Sequence, residues 1–283
     1  MAKLIFGCGY LGRRVAGRWL ERGHKVFVVT RSPERARSLA EEGLDPIVAD
    51  VTRPDSLSRL PAAETVLYSI GYDRSAAVSR HGVQVAGLGA VLDALPDETG
   101  RICYISSTAV YGNAAGASVD EDTPCRPDRE SGRIVLAAEG LLRAHPLGRR
   151  AVVLRLAGLY GPGRIPPVQD LISGRPIPVA ADAVVNLIHV DDAAEVVLAA
   201  ETMAKPPVTY VVSDGHPVPR REFYRYLAKL LHLPPPAFVD PDPGQGEPPR
   251  GSGNKRVSNA RMLKELNVTL AYPSYREGLA ATV

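Results

Sequence analysis

Short apolar runs alternate with amphipathic stretches through the first part of the chain. Residues 3–6 (KLIF) form a compact apolar run of strand length. Residues 25–30 (KVFVVT), 46–49 (PIVA), 65–70 (TVLYSI) and 101–106 (RICYIS) repeat the type. Between them, residues 13–22 place Val15, Trp19 and Leu20 on one side at helical spacing, and residues 33–42 and 76–95 carry helix-compatible patterns. Strands alternating with helices predict an α/β fold: a doubly wound, mainly parallel sheet of at least six strands, with residues 3–6 in its interior. Later, residues 208–213 (VTYVVS) predict a further strand. Residues 220–231 (RREFYRYLAKLL) predict a helix with Phe223, Leu227, Leu230 and Leu231 on its buried face, and residues 258–266 a last helix stopped near Asn267. Prolines break the pattern in 164–183, and residues 234–249 are rich in Pro, Gly and Asp, so both predict irregular chain. The expected organisation is a main domain over 1–163, its sheet rejoined by 184–213, with 164–183 and 214–283 forming a smaller C-terminal substrate lobe.

The first apolar run leads into Gly7, Gly9 and Gly12, a G-x-G-x-x-G spacing that opens the first predicted helix. A glycine turn between a strand and a helix N-terminus suits a pyrophosphate. The first Gly makes the turn, the second lets phosphate approach the backbone, and the third lets helix and strand pack closely. The pattern predicts a dinucleotide-binding (Rossmann) domain, with Tyr10 and Leu11 inside the loop. Where a carboxylate would bind a ribose 2′-hydroxyl, about 20 residues on, Thr30 and Arg31 stand instead, with Arg35 following. A guanidinium fork suits a phosphate, so the expected cofactor is NADP rather than NAD, with surface charge as the alternative role for both arginines. Strand C-termini face the ligand crevice in such a sheet, which puts Arg31, Asp50, Ser69, Ile70, Gly71, Ser106 and Ser107 on the same rim as the glycines.

Composition narrows the picture by exclusion. A chain of 283 residues buries a large core. The formal charge of +3, with arginines scattered along the chain, points to no nucleic acid, and no stretch is apolar for long enough to span a membrane. The three cysteines, Cys8, Cys103 and Cys125, show neither metal-ligand nor disulfide spacing, so no metal is expected and a cytoplasmic location is.

Residues 106–112 (SSTAVYG) resemble the S-S/T-x-x-V-Y-G segment of extended short-chain dehydrogenase/reductases of the NAD(P)-dependent epimerase/dehydratase type. Other segments match in order: Asp50-Val51 resembles the pair that contacts adenine, 154–163 (LRLAGLYGPG) the L-R…Y-G-P-G segment, 186–192 (NLIHVDD) the D-F-I-H-V-D-D segment, and 255–259 and 272–279 the closing segments. The run 131–133 (SGR) with 155–158 (RLAG) is most similar to the atypical YeeZ-like group. The resemblance implies cofactor contacts at Asp50, Val51, Leu156, Ala157 and Gly158, and substrate contacts at Asn186 and at Arg164, for which a surface charge is the equal alternative. It also marks a departure. The family's catalytic Tyr is followed four residues later by Lys on one helix face. Here Ser131 and Val135 occupy those places, and no Tyr in the chain has Lys four residues after it. Ser107 aligns with the hydroxyl that hydrogen-bonds the reacting oxygen; Tyr111 is a second candidate acid, although its place in V-Y-G usually positions substrate or packs. His189 reads as structural, at a strand-to-helix connection. The implied activity is an NADP(H)-dependent oxidoreductase or epimerase-like enzyme on a small polar, sugar-like substrate. The alternative is a catalytically silent NADP(H)-binding sensor or partner-binding protein. A monomer or homodimer is expected.

Overall fold

The computed structural model describes residues 1–73, 75, 77–165, 168–240 and 253–283. By its contacts the chain divides into two compact units. The first comprises Met1–Ser106, Arg133–Arg155 and Ala194–Tyr210; the second comprises Ser107–Gly132, Leu156–Ala193 and Val211–Val283.

The first unit is built on a seven-stranded sheet of β1 (Ala2–Phe6), β2 (Lys25–Thr30), β3 (Asp45–Val48), β4 (Thr65–Tyr68), β5 (Arg101–Ser107), β6 (Ala151–Leu156) and β7 (Val208–Val212). Their order is β7-β6-β5-β4-β1-β2-β3, so β1 is interior as expected. It pairs in parallel with β2 and β4, with Lys3 opposite Val26 and Thr65. Strands in such a sheet are covered on both faces and read as continuous apolar runs. Leu4, Ile5 and Phe6 are all fully buried, and Leu4 and Phe6 join a core with Val66, Leu88, Leu92 and Leu142. Lys3 is buried too, and its Nζ donates to Glu64 at 2.8 Å, to Thr65 at 3.2 Å and to Glu201. Trp19 donates to the other oxygen of Glu201 at 2.8 Å, so the polar start of β1 is fully partnered.

Helices α1 (Gly12–Glu21) and α2 (Pro33–Glu41) follow β1 and β2. The expected helix over 76–95 is a π turn, Gly82–Ala86, running into α3 (Gly87–Ala94), while Ala76 itself lies outside the described residues. Helices α4 (Glu130–Ala144) and α5 (Val190–Met203) precede β6 and β7.

The second unit is made of short paired segments. Gly158–Tyr160 runs parallel to Leu187–His189, and Ser118–Val119 parallel to Arg256–Val257. Val184–Val185 pairs antiparallel with Val218–Pro219 ahead of α6 (Arg220–Leu230). As its periodicity predicts, α6 buries Phe223 and Leu227 beside Tyr160, Tyr275 and Leu279. The helix Ala260–Leu266 ends at Asn267 in a left-handed conformation, but it is not the last as expected: Tyr275–Ala280 forms a further helix, capped by Ser274, whose Oγ accepts the Arg276 N–H at 3.2 Å. Residues 107–132, 156–163, 184–193 and 211–213, expected in the main domain, group here instead. Besides the Ser118–Val119 pairing, the N–H groups of Ala114 and Gly116 donate to the Asn254 carbonyl. In the irregular stretch from 234, the described residues include the short strand Phe238–Val239, parallel to Ile177–Pro178; 241–249 lies outside the described residues.

Candidate functional site

The C-terminal ends of β1, β2, β3 and β4 surround a pocket of about 240 Å³ in the first unit. Its floor is the glycine turn after β1. Gly7 has φ +91°, and a Cβ there would lie 2.6 Å from the Ser69 backbone. A Cβ on Gly12 would collide with the Gly7 carbonyl oxygen, so the start of α1 sits against the turn only because that atom is missing. Gly9 differs. It lines the pocket, and a Cβ there would meet no protein atom within 4 Å. Its missing side chain leaves open space on the pocket side, as a phosphate approaching the backbone requires. Helix α1 has no side-chain cap and no acidic residue in its first turn, so its N-terminal field is left for an anion. The turn therefore fits a dinucleotide pyrophosphate.

Ser69 ties the floor to β4. Its N–H donates to the Phe6 carbonyl and its Oγ to the Gly7 carbonyl, at 2.8 and 2.9 Å. Ile70 and Gly71 continue that wall. On the β3 side, Asp50 accepts from the N–H and Oγ1 of Thr52 at 2.9 and 2.8 Å. Val51 beside it is buried, and Gly87 makes room for it, since a Cβ there would lie 2.8 Å from Val51 Cγ2. On the β2 side stand Arg31 and Arg35, both exposed pocket-lining residues. Arg35 is positioned twice: its N–H donates to the capping Ser32 Oγ at 3.1 Å, and its guanidinium donates to the Cys8 carbonyl in the glycine turn.

Of the cofactor residues expected from the sequence, the pocket brings together Gly7, Gly9, Arg31, Arg35, Asp50, Val51, Ser69, Ile70 and Gly71. Tyr10, Leu11 and Gly12 support the turn from outside the pocket lining: Arg14 lies over the Tyr10 ring at 4.4 Å and Leu11 is buried. Ser106 is turned inward. Its Oγ donates at 2.5 Å to Glu139, a fully buried carboxylate that also accepts two bonds from Arg155, at 3.0 and 2.8 Å, and one from Arg143 at 2.7 Å. Its hydroxyl is therefore spent on the core rather than on a cofactor. Burial pushes the Glu139 carboxyl up, but the bonds and charges of Arg155, Ser106 and Arg143 outweigh this and hold it below the usual range.

The pocket also includes Cys8, Thr30, Thr52, Asp73 and Val83, none of which the sequence assigned to the cofactor. Thr30, Thr52 and Asp73 were within reach of the strand-end rule. Val83 was not, because it arrives from the π turn. Asp73 accepts from Ser75 Oγ and N–H at 2.7 and 2.9 Å; those bonds first, and the Arg31 charge after them, hold its carboxyl below the usual range.

The remaining candidates belong to the second unit, except Val135, which is half-buried on α4 in the first. Ser107 accepts the Ala109 N–H at 3.1 Å, and Tyr111 is buried two residues on. A Cβ on Gly132 would lie 2.7 Å from the Ala109 carbonyl oxygen, so this glycine lets the Ser131 turn approach the Ser107–Tyr111 segment closely. Ala157 and Gly158 donate backbone N–H groups to Val212 and Asn186, and Leu156 and Ala157 are buried. Arg164 is exposed at a turn closed on Gly161. Asn186, expected to meet substrate, instead clamps two strands: its Nδ2 donates to the Lys255 carbonyl at 2.8 Å and its Oδ1 accepts the Val257 N–H at 2.9 Å. Both ends of its amide are occupied. His189 is buried against the Tyr160 and Tyr272 rings and accepts the Asp191 N–H, which fits its structural reading.

Among the described residues no group of His, Cys, Asp and Glu side chains has the arrangement of a metal site, and no helix is long and apolar enough to cross a membrane. Comparison with known proteins agrees with the architecture of the first unit. Residues 4–213 match the NAD dependent epimerase/dehydratase family. Protein YeeZ of Escherichia coli is 31% identical over 279 residues, covering 95% of each chain. A 3-diazoavenalumate denitrifying reductase from a Streptomyces species is 26% identical and covers 99% of each. A solved structure of a conserved protein of unknown function from Silicibacter pomeroyi superposes with a TM-score of 0.78 at 32% identity, covering 99% of this chain and 97% of that one. The doubly wound sheet, the glycine turn and these likenesses converge: this chain belongs to the NAD-dependent epimerase/dehydratase family, the extended type of short-chain dehydrogenase/reductase, and is an NAD(P)-binding protein of the oxidoreductase/epimerase type.

Proposed function

We propose that the protein is an NADP(H)-dependent oxidoreductase or epimerase-like enzyme that acts on a small, polar, sugar-like molecule without a Tyr-x-x-x-Lys pair. The observation carrying the cofactor assignment is that Arg31, directly after β2, and Arg35, in the first turn of α2, both line the pocket, with Thr30 and Arg31 at the strand end where an acid would serve NAD. Guanidinium groups bind a phosphate through parallel charged hydrogen bonds. Gly7, Gly9 and the N-terminus of α1 would hold the pyrophosphate, Asp50 and Val51 the adenine, and Arg31 and Arg35 the ribose phosphate. The nicotinamide, when bound, supplies hydride transfer. Ser107 would hydrogen-bond the reacting oxygen, and Val135 at the place of the lysine can neither hold a ribose nor lower a phenol pKa. That loss supports the rival reading, a silent NADP(H)-binding sensor.

Calorimetric titration with NADPH and NADH tests the assignment. Wild type should prefer NADPH, and Arg31→Ala should weaken NADPH by roughly 10- to 100-fold, as expected for one charged hydrogen-bonding group, while leaving NADH nearly unchanged. Equal affinity of wild type for both cofactors refutes it.

A further inference from the structure

The second unit contains two buried cations that no role so far explains. Arg220 opens helix α6 and is 5% exposed. Its backbone N–H donates to the Ala183 carbonyl, but among the described residues its guanidinium has no hydrogen bond and no ion pair. Lys255 is 8% exposed, and its Nζ makes one bond, to the Gly112 carbonyl at 2.8 Å, for three donors. The two are close enough to feel each other's charge. Asp128, whose charge also acts on Lys255, is itself exposed. Tyr224, one turn along α6, lies in the field of Arg220.

A guanidinium stays protonated even where burial pushes its pKa down, as it does here. Folded proteins rarely leave such a group without partners, because an unpaired buried charge is strongly destabilising. Both cations hang on the same short segment: the Arg220 N–H donates to the Ala183 carbonyl, and Asn254, next to Lys255, accepts the Val184 N–H at 3.1 Å. Two buried cations on one segment, with no ion pair to a carboxylate among the described residues, describe a place built for an anion. Pro219 gives α6 no side-chain cap, so the helix N-terminus adds to the same positive field.

We propose that Arg220 and Lys255 form an anion-binding site, taking a carboxylate or phosphoryl group of a small molecule. Neither cation is among the residues that line the glycine-turn pocket, so the proposal does not rest on the cofactor assignment. The test is thermal unfolding with inorganic phosphate and with glucuronate, each compared with sodium chloride at equal ionic strength. At least one probe should raise the wild-type Tm, and which one does so separates the two anion sources. Arg220→Met should melt above wild type without additives, because an unpaired buried charge is gone, and should no longer respond to the probe. Lys255→Met should bind the probe at least tenfold more weakly. NADPH titration of Arg220→Met should match wild type, so failure here and failure of the cofactor assignment give different results. A wild type indifferent to both probes, or an Arg220→Met variant that melts lower yet responds as wild type does, overturns the proposal. If Arg220→Met does not fold, Lys255→Met and Arg220→Lys decide: an unchanged probe affinity in both overturns it.

Discussion

Asp214 follows the end of β7 and is almost fully buried. One of its oxygens accepts the His216 N–H at 2.9 Å; the other has no partner among the described residues. Burial, together with the nearby Asp192 and Glu277 charges and against the pull of the His216 N–H and charge, raises its pKa to about 7. A carboxyl raised in this way keeps its proton in the folded chain while the unfolded chain has released it. The contribution of Asp214 to stability should therefore be greatest below about pH 4, the ordinary Asp value, and fall as pH rises toward 7. Asp214→Asn keeps the acceptor and removes the charge. It should stabilise the protein by on the order of 2–4 kcal/mol above pH 7, with the difference closing toward pH 4; urea unfolding across that range checks it, and a constant difference refutes it. Ser107 is the residue on which turnover should depend. If a reducible sugar or carbonyl substrate is found, Ser107→Ala should lower kcat by roughly 10²–10⁴-fold, the usual scale of a lost proton relay, with cofactor affinity kept. Brisk turnover surviving that change would move the role to another acid, with Tyr111 the first to test.

Between elements, the Glu139 network ties α4 to β5 and β6 through Ser106 and Arg155. Removing one partner of a buried pair leaves the other charge stranded, so Glu139→Gln should cost about 3–5 kcal/mol. Glu139 has a lowered pKa, so its contribution is present above the ordinary carboxyl pKa and is lost as pH falls through the folded value. The wild-type advantage measured by denaturant unfolding should therefore shrink in acid. None of this network follows from local pattern: Arg155 and Glu139 are 16 residues apart, and Ser106 and Glu139 are 33 apart. The elements themselves were much easier to read. β1, β2 and α6 fall within a residue of their expected bounds because apolar periodicity is local. The helix over 76–95 was misjudged in detail because a π turn leaves no mark on spacing of that kind.

For the whole molecule, the cofactor should act as a stabiliser by mass action. NADPH at 100 times its Kd should add about 2.7 kcal/mol, seen in scanning calorimetry as a Tm several degrees higher, and NADH at the same concentration should add less. No shift at millimolar NADPH would remove the cofactor site from this protein. The sequence by itself determined the doubly wound fold and the glycine turn, and it shows that an arginine follows the second strand and that no Tyr has Lys four residues on. Each is a matter of residue type at short, regular spacing, governed by local backbone geometry. Tertiary structure alone decided that Ser106 turns into the core, that Asn186 clamps strands, and that Arg220 and Lys255 are buried. Those outcomes depend on burial and on partners supplied by distant segments: Asn186 meets Lys255 across 69 residues. Whether a polar side chain is spent on the fold or left for a ligand is set by what the rest of the chain brings to it.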